Sequence, residues 1–198
     1  GASPAGPTAV APPGVPSSAP PGAPPGTAAA GLLAHYPLDG NAQDASGRGL
    51  HGKVSGAQPT ADRAGRAGGA MLFDGRGFIE LPLDVNPSAV PRLTFTAWVR
   101  ADAPAAIQQV MSHDDGGFDR SLGIDGRGGG VGWSLFAGTS GVVGFRPAQK
   151  GQWVFVAAVW DQPAGKVRLQ VDDWVVERPG SLGGGGRTLN LGRNPGFG

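Results

Sequence analysis

The sequence predicts an all-β protein, a two-sheet antiparallel jelly-roll sandwich that follows a disordered or extended Pro/Ala-rich tail. Three observations support this fold class. Apolar runs of strand length recur along the chain, separated by turns rich in Gly, Asp and Asn. Helical periodicity is nearly absent, and only residues 101–109 (ADAPAAIQQ) could form a turn or two of helix. The tail, by contrast, has no strand pattern at all.

Composition divides the chain into a linker, residues 1–30, and one domain, residues 31–198. The linker holds 9 Pro, 9 Ala and 5 Gly and has no charged or aromatic residue. Such a segment buries too little apolar surface to offset its ordering entropy, so we expect a solvated chain, partly in polyproline II. All 5 Trp, all 8 Phe and the single Tyr lie beyond the linker and predict one hydrophobic core.

The predicted strands begin with Leu32–Leu38, an apolar run that ends at an Asp-Gly-Asn turn. Trp153–Trp160 (WVFVAAVW) is apolar on both faces, as expected for a strand inside a packed sheet. Lys166–Val171 alternates and then turns into Trp174–Val176, which predicts a hairpin. The other predicted strands are Ala70–Phe73, Phe78–Leu81, Leu93–Val99, Ile107–Met111, Ser121–Ile124, Val131–Phe136 and Val142–Phe145.

Charge and composition exclude several classes of function. The net charge is +1 and no Lys/Arg-rich run occurs, so we expect no nucleic-acid partner. No apolar stretch is long enough to span a bilayer. The absence of Cys excludes disulfides and cysteine-ligated metals. A Pro/Ala linker ahead of an all-β domain, in a chain that starts without Met, predicts an extracytoplasmic protein: secreted, periplasmic or on the cell surface.

Five short motifs occur in order: Asp39-Gly40-Asn41, Asp44-Ala45-Ser46-Gly47, His51-Gly52, Phe73-Asp74-Gly75 and Ile79-Glu80-Leu81-Pro82. Together they resemble the opening of bacterial laminin-G-like domains of the concanavalin A-like lectin/glucanase superfamily. The resemblance implies a concanavalin A-like sandwich. It specifies the fold better than the function, because this fold hosts many unrelated activities.

One departure from the family pattern concerns the end of the chain. Relatives continue after an L-x-L-G-x-N element with a closing strand that pairs beside the first strand. Here Leu189–Asn194 carries that element, and only Pro195–Gly198 follows. We therefore expect either a truncated chain or an open sheet edge beside Leu32–Leu38, with contacts to neighbouring subunits through that edge and the N-terminal tail.

The sequence favours a protein without catalytic activity, although the superfamily includes glucanases. Retaining glycosidases need two carboxylates about 5–5.5 Å apart. The chain contains two Glu, Glu80 and Glu177, which are far apart in sequence, and Glu80 lies in the structural Ile79–Pro82 motif. We therefore assign no catalytic residue, and a glycoside hydrolase is the least favoured reading.

Calcium is the candidate cofactor. Asp39, Asn41 and Asp44 place oxygen side chains within one turn, and calcium prefers such ligands. The resemblance supports this, because laminin-G-like and pentraxin-like relatives hold calcium at rim loops. The alternative is that these side chains form Asx turns with the backbone. A second acidic loop, residues 113–119, allows the same two interpretations, with turns favoured.

A carbohydrate site would need an aromatic ring for stacking and polar side chains that hold hydroxyl groups. The aromatic candidates are Trp133, Trp174 and Phe118, with Asp114, Asp115 and Arg120 as their polar partners. Packing is the alternative for both tryptophans, because Trp is highly buried on average. Trp98, Trp153 and Trp160 lie within regular strands and are expected in the core.

These observations predict a non-catalytic extracytoplasmic module for binding or adhesion, with a glycan or a surface protein as ligand. The alternative is a structural or accessory subunit of a larger extracytoplasmic assembly. The sequence does not specify the ligand.

Overall fold

The computed structural model describes residues 31–105, 107–127, 130–185 and 188–195. They form thirteen β-strands and, within these ranges, no helix. The strands are β1 Lys53–Ser55, β2 Gln58–Thr60, β3 Ala70–Leu72, β4 Phe78–Leu81, β5 Arg92–Arg100, β6 Ile107–Ser112, β7 Ser121–Asp125, β8 Gly132–Phe136, β9 Val142–Pro147, β10 Trp153–Asp161, β11 Lys166–Val171, β12 Trp174–Pro179 and β13 Leu189–Leu191. No described segment could cross a membrane as a helix.

Most strands belong to two sheets. One sheet has seven strands in the order β1-β4-β13-β6-β7-β8-β9, and the other has four in the order β12-β11-β10-β5. Strands β2 and β3 form a separate pair. Strand β13 lies between β4 and β6, antiparallel to both, so the end of the chain returns to the middle of the large sheet. The predicted antiparallel jelly-roll sandwich is confirmed.

Alternating side chains build the core between the two sheets. In β11, Val167, Leu169 and Val171 are buried, whereas Lys166 and Arg168 are exposed. Burial of such a side chain contributes about 1.5–3 kcal/mol, so the facing apolar rows hold the sheets together.

A hydrogen bond also joins the two sheets through the core. Trp160 of β10 is 0% exposed, as predicted for a core residue. Its indole Nε1 donates to the carbonyl oxygen of Phe136 in β8, at 2.9 Å. The bond satisfies the one polar atom of the largest buried side chain.

Several strand predictions are confirmed with small changes of boundary. Strand β10 lies between β5 and β11, as its two apolar faces predict. Strands β11 and β12 form the predicted hairpin. Strands β1, β2 and β13 are additional, and each is three residues long. Runs of three residues are too short to show alternation.

The prediction of a first strand at Leu32–Leu38 is wrong. The segment joins no sheet, because its polar groups bond to the turn that follows it. The His35 N–H donates to Oδ1 of Asp44 at 3.0 Å, and the His35 carbonyl accepts from the Ala45 N–H at 2.7 Å. Leu33, Tyr36 and Leu38 nevertheless pack against the core, which explains the apolar pattern.

A further local expectation, of a short helix within residues 101–109, is corrected. The described residues of the segment 101–109 contain no helix, residue 106 lies outside the described ranges, and β6 begins at Ile107. The Gln108 side chain bonds to the backbone of Ala103 and Ala105, and Ile107 pairs with β7. Strands β3 and β4 do not pair with each other. Strand β3 pairs with β2, and β4 pairs with β1 and β13.

Strand β5 is one edge of the four-stranded sheet and β12 is the other, so the expected position of the open edge beside Leu32–Leu38 is corrected. All nine residues of β5 pair with β10, and within the described ranges no strand pairs with its other side. Residues Gly31–Ala34 and Arg92–Thr94 line opposite parts of one cavity beside this edge.

Candidate functional site

Three loops converge at one end of the sandwich and form the candidate site. They are the β4–β5 loop (82–91), the β6–β7 loop (113–120) and the described part of the β12–β13 loop (180–185). The guanidinium of Arg120 donates to the carbonyl oxygen of Val85, which joins the first two loops. Gly183–Gly185 then lies against side chains of both. We call this region the convergent loops.

The β6–β7 loop is organised around Asp114, which is buried. Its Oδ1 accepts from the N–H groups of Gly116 at 3.3 Å and Asp119 at 3.1 Å. Its Oδ2 accepts from the amide of Asn194 at 2.8 Å, which ties the loop to the residues after β13. Asp114 therefore acts as a structural acceptor, and its carboxylate does not face solvent.

The Asp119 carboxylate, unlike that of Asp114, is not fully hydrogen-bonded within the described chain. It is 2% exposed, and its Oδ1 has no hydrogen-bond partner in the described part of the chain. Burial and a side-chain hydrogen bond with Asp115 raise the pKa of Asp119 to about 6. Two carboxyl groups in contact favour a shared proton or a bound cation, because their negative charges repel.

The glycine segment Gly183–Gly185 covers three polar atoms that have no partner among the described residues: Asp119 Oδ1, Asn86 Oδ1 and His113 Nδ1. A Cβ on Gly183 would lie 3.5 Å from the Asp119 atom, and one on Gly184 the same distance from the Asn86 atom. A Cβ on Gly185 would lie 2.6 Å from His113 Nδ1, so only glycine fits there. Burial lowers the pKa of His113 and favours the neutral ring.

Arg120 is also fully buried. Its Nε and Nη2 atoms have no hydrogen-bond partner within the described ranges, and burial lowers its pKa to about 10. Buried polar groups are almost always paired, and an unpaired one costs about 1–3 kcal/mol. The convergent loops thus concentrate unpaired donors and acceptors under one glycine segment.

Phe118 joins the loop to the large sheet. Its φ of 54° lies in the left-handed region, which is uncommon for an aromatic residue. The half-buried ring meets Phe136 edge to face, with centroids 5.4 Å apart. The guanidinium of Arg127 lies 5.4 Å from the Phe118 ring centroid and forms an ion pair of 2.5 Å with Asp125.

The structure brings four of the six predicted ligand residues together and separates the other two. Phe118, Asp114, Asp115 and Arg120 share the β6–β7 loop, where Asp115 is exposed and Phe118 half-buried. Asp114 and Arg120 are buried, which corrects their predicted role as direct ligand contacts.

Both predicted stacking tryptophans pack in the protein. Trp133 is 3% exposed, so it cannot offer a ring face to a sugar, and that prediction is corrected. In β8 it lies on the same face as Leu135, which points into the core. Trp174 on β12 is half-buried against the core and belongs to the other sheet.

The Asp39–Asp44 turn has the contacts of the Asx-turn alternative. Oδ1 of Asn41 accepts from the Gln43 N–H at 2.8 Å, and Asp39 pairs with Arg66 at 2.6 Å. Asp44 is buried and accepts from the His35, Ser46 and Leu50 N–H groups and from the Ser46 hydroxyl. Its oxygens are therefore engaged. Among the residues described, no three His, Cys, Asp or Glu side chains surround a metal position.

Sequence reasoning missed two groups of residues. The sequence proposes Asp119 only as part of the second acidic loop and does not propose Asn86 or Gly183–Gly185, because loops distant in sequence bring them together. Trp98, expected in the core, is 49% exposed on the outer face of the four-stranded sheet.

Comparison with known proteins gives one match. Residues 73–197, more than half of the chain, match a laminin-G family model described as the concanavalin A-like lectin/glucanases superfamily. The match begins at the Phe73-Asp74-Gly75 motif, so the three earlier motifs lie outside it. No curated protein and no solved structure matched the chain.

Proposed function

The chain belongs to the concanavalin A-like lectin/glucanase superfamily, and from this premise we propose that it is a non-catalytic extracytoplasmic module that binds a glycan or a surface protein. Domains of this superfamily support a carbohydrate- or protein-binding role, and laminin-G-like domains are commonly extracellular. The proposed binding region is the convergent loops.

One observation carries the proposal: buried polar atoms without partners cluster at one end of the sandwich. Asp119 Oδ1, Asn86 Oδ1 and His113 Nδ1 lie beneath Gly183–Gly185, and a shift of this segment would offer them to a polar ligand, whereas Arg120 stays buried. Exposed Asp115 and half-buried Phe118 connect this cluster to solvent. Unpaired polar groups of this kind are paired on binding, which favours ligands rich in hydroxyl or amide groups.

The positions of the two glutamates support a role without catalysis. Glu80 lies on β4 in the seven-stranded sheet, and Glu177 lies on β12 in the four-stranded sheet. Glu177 forms a 2.8 Å ion pair with Lys166, on the same sheet. Two glutamates on different sheets do not make the facing pair that a retaining glycosidase requires.

Calcium is part of the proposal at the convergent loops. Asp119 and Asn86 contribute buried oxygens without partners, and these are ligands that calcium prefers. The apposed Asp115 and Asp119 carboxyls give a local negative charge that a divalent ion would offset. Calcium bound here would order the loops and orient Asp115 toward a ligand. The Asp39–Asp44 turn is the weaker site because its oxygens are engaged.

A glycan array probed with and without calcium tests this function. We expect binding by the native chain that Asp119→Asn weakens or abolishes. The matched control is Asp39→Asn, which removes an equal charge from an exposed ion pair outside the convergent loops. Equal binding by all three proteins would contradict the assignment of the site, and hydrolysis of a polysaccharide would contradict the absence of catalysis.

The open edge of β5 favours a second candidate, a structural or accessory subunit. This edge strand of nine residues pairs with β10 on one side only, and its other side presents backbone groups that another chain could pair with. Sedimentation velocity over a range of concentrations should then show an assembly that weakens when residues 1–30 are deleted. A monomer at high concentration, with or without these residues, would contradict the subunit candidate and leave the binding module as the remaining proposal.

A further inference from the structure

A half-exposed tryptophan stands on the outer face of the four-stranded sheet. Trp98 belongs to the edge strand β5 and is 49% exposed, although Trp side chains are mostly buried in folded proteins. Its register partner Phe155 meets it edge to face, with ring centroids 5.7 Å apart. The indole is therefore held in place from one side and open to solvent on another.

The side chain of Arg63 lies over this indole. Arg63, in the β2–β3 loop, places its guanidinium carbon 4.6 Å from the Trp98 ring centroid. Its neighbour Asp62 fixes the loop, because its Oδ1 accepts from the N–H groups of Ala64 and Arg66, both at 2.9 Å. The arrangement is preorganised before any ligand arrives.

The charge on Arg63 is not offset by a contacting carboxylate. The ion pairs of the described chain engage Arg66, Arg92, Arg100, Arg127 and Lys166, and Arg63 is not among them. A guanidinium stacked on an aromatic ring keeps its N–H donors in its own plane, directed sideways. These donors match the two oxygens of a carboxylate.

The outer face around Trp98 carries both aromatic and polar side chains: Phe155 is its register partner, and Trp153 lies two residues along β10 on the same face. Thr94 and Thr96 are exposed on the same face of β5, and Ala157 lies between Thr96 and Gln170 in register. Hydroxyl groups beside an exposed aromatic ring provide a sugar with a stacking face and with hydrogen-bond donors and acceptors.

We propose that Trp98 and Arg63 form a binding corner for a carboxylate-bearing sugar of a uronate-containing glycan. The apolar C–H face of the sugar packs on the exposed indole, and its carboxylate accepts from the Arg63 guanidinium. Thr96 supplies a hydroxyl group beside them. This inference rests on the proposed function for the class of ligand, and it uses no residue of the convergent loops.

Calorimetric titration of the full chain with trigalacturonate tests the corner. Trp98→Ala and Arg63→Gln should each weaken binding about tenfold or more, as expected for loss of a stacking face or a charge-assisted hydrogen bond. Trp98→Phe should retain part of the affinity and shows that the loss is not a failure to fold. The matched controls are Val175→Ala, an exposed apolar residue on the same sheet, and Arg48→Gln, an exposed cation elsewhere.

The methyl ester of trigalacturonate separates charge from stacking. The native chain should bind the ester about tenfold more weakly than the acid, whereas Arg63→Gln should bind both equally. No binding of trigalacturonate by the native chain, or equal binding by Arg63→Gln, would overturn the inference and leave a structural contact only. Asp119→Asn should leave this titration unchanged, so failure of the convergent loops and failure of this corner give different results.

Discussion

The Asp39–Asp44 turn and the β6–β7 loop have nearly the same chemistry in sequence and opposite chemistry in the structure. Both are short, acidic and rich in turn residues. In the first, Asp44 accepts four hydrogen bonds, three of them from backbone N–H groups. In the second, Asp119 keeps a buried oxygen without a partner in the described chain. Acidic composition is therefore a poor guide to a ligand site, and the supply of nearby N–H donors decides.

The two carboxylates also differ in acidity. Burial opposes ionisation of Asp44, but hydrogen bonds from His35, Ser46 and Leu50 outweigh it and hold its pKa well below the usual range. Burial and contact with Asp115 raise the pKa of Asp119 to about 6. The negative charge of Asp44 therefore stabilises the folded state, whereas that of Asp119 destabilises it.

Removal of the Asp44 carboxylate should have the largest effect. Asp44→Ala leaves buried N–H donors unpaired, so we expect the free energy of unfolding to fall by about 3 kcal/mol or more. Denaturant titration measures this. The matched control, Asp39→Ala, removes an exposed ion pair and should cost about 0–1 kcal/mol. Equal losses in the two variants would remove the contrast between structural and exposed acids.

Binding of calcium should give the second-largest difference in stability between the two regions. If Asp119 is a ligand, saturation with calcium at about a hundred times its Kd stabilises the native chain by about 2.7 kcal/mol over the chelated protein. Asp119→Asn should abolish this difference in melting temperature, and Asp39→Asn should keep it. A calcium response that survives in Asp119→Asn but is lost in Asp39→Asn would move the site to the Asp39–Asp44 turn.

The contributions of Asp44 and Asp119 to the free energy of unfolding should depend on pH with opposite signs. Because the folded pKa of Asp119 is raised to about 6, its penalty is absent below the unfolded pKa near 4 and complete above about 6. Asp119→Asn in chelator should therefore gain stability over the native chain, by up to about 3 kcal/mol, as the pH rises through this interval. Unfolding at pH 4 and pH 7 measures it. A constant difference would show that Asp119 is ionised normally.

Glu80 is an acidic residue outside both regions, and its substitution should have the smallest effect on stability. It lies on β4, opposite Lys53 of β1 and Asn190 of β13. Glu80→Gln should change the free energy of unfolding by about 0.5 kcal/mol or less. Reducing-sugar assays on β-glucans should show no turnover for either protein. Turnover that disappears in Glu80→Gln would make this residue catalytic.

Alternation along the chain predicts most of the strands, and it also predicts which face of its strand each tryptophan lies on. In Leu93–Val99, Trp98 lies on the face of Thr94 and Thr96, opposite Leu93, which already favours exposure. In β8, Trp133 shares a face with Leu135, which favours burial. Both tryptophans lie in predicted strands, so strand membership does not separate their roles, whereas the face on which each one lies does.

Other features depend on contacts that no local pattern contains. Leu32–Leu38 looks like a strand because Leu33, Tyr36 and Leu38 are apolar, but its polar groups bond to the Asp44 turn. The unpaired atoms of Asn86, His113 and Asp119 arise where three loops meet. Such a meeting is a property of topology and is not visible in any one segment of sequence.

The bond between the Trp160 indole and the Phe136 carbonyl gives this protein an optical reporter of sheet separation. Trp160 is inaccessible to solvent, and Trp98 is half-exposed, so the two indoles should differ in emission wavelength and in quenching by acrylamide. If the sheets part before their strands unpair, the quencher-resistant emission shifts to the red while the far-ultraviolet dichroism of the strands persists. Fluorescence and far-ultraviolet dichroism recorded in one titration therefore distinguish opening of the sandwich from loss of its sheets.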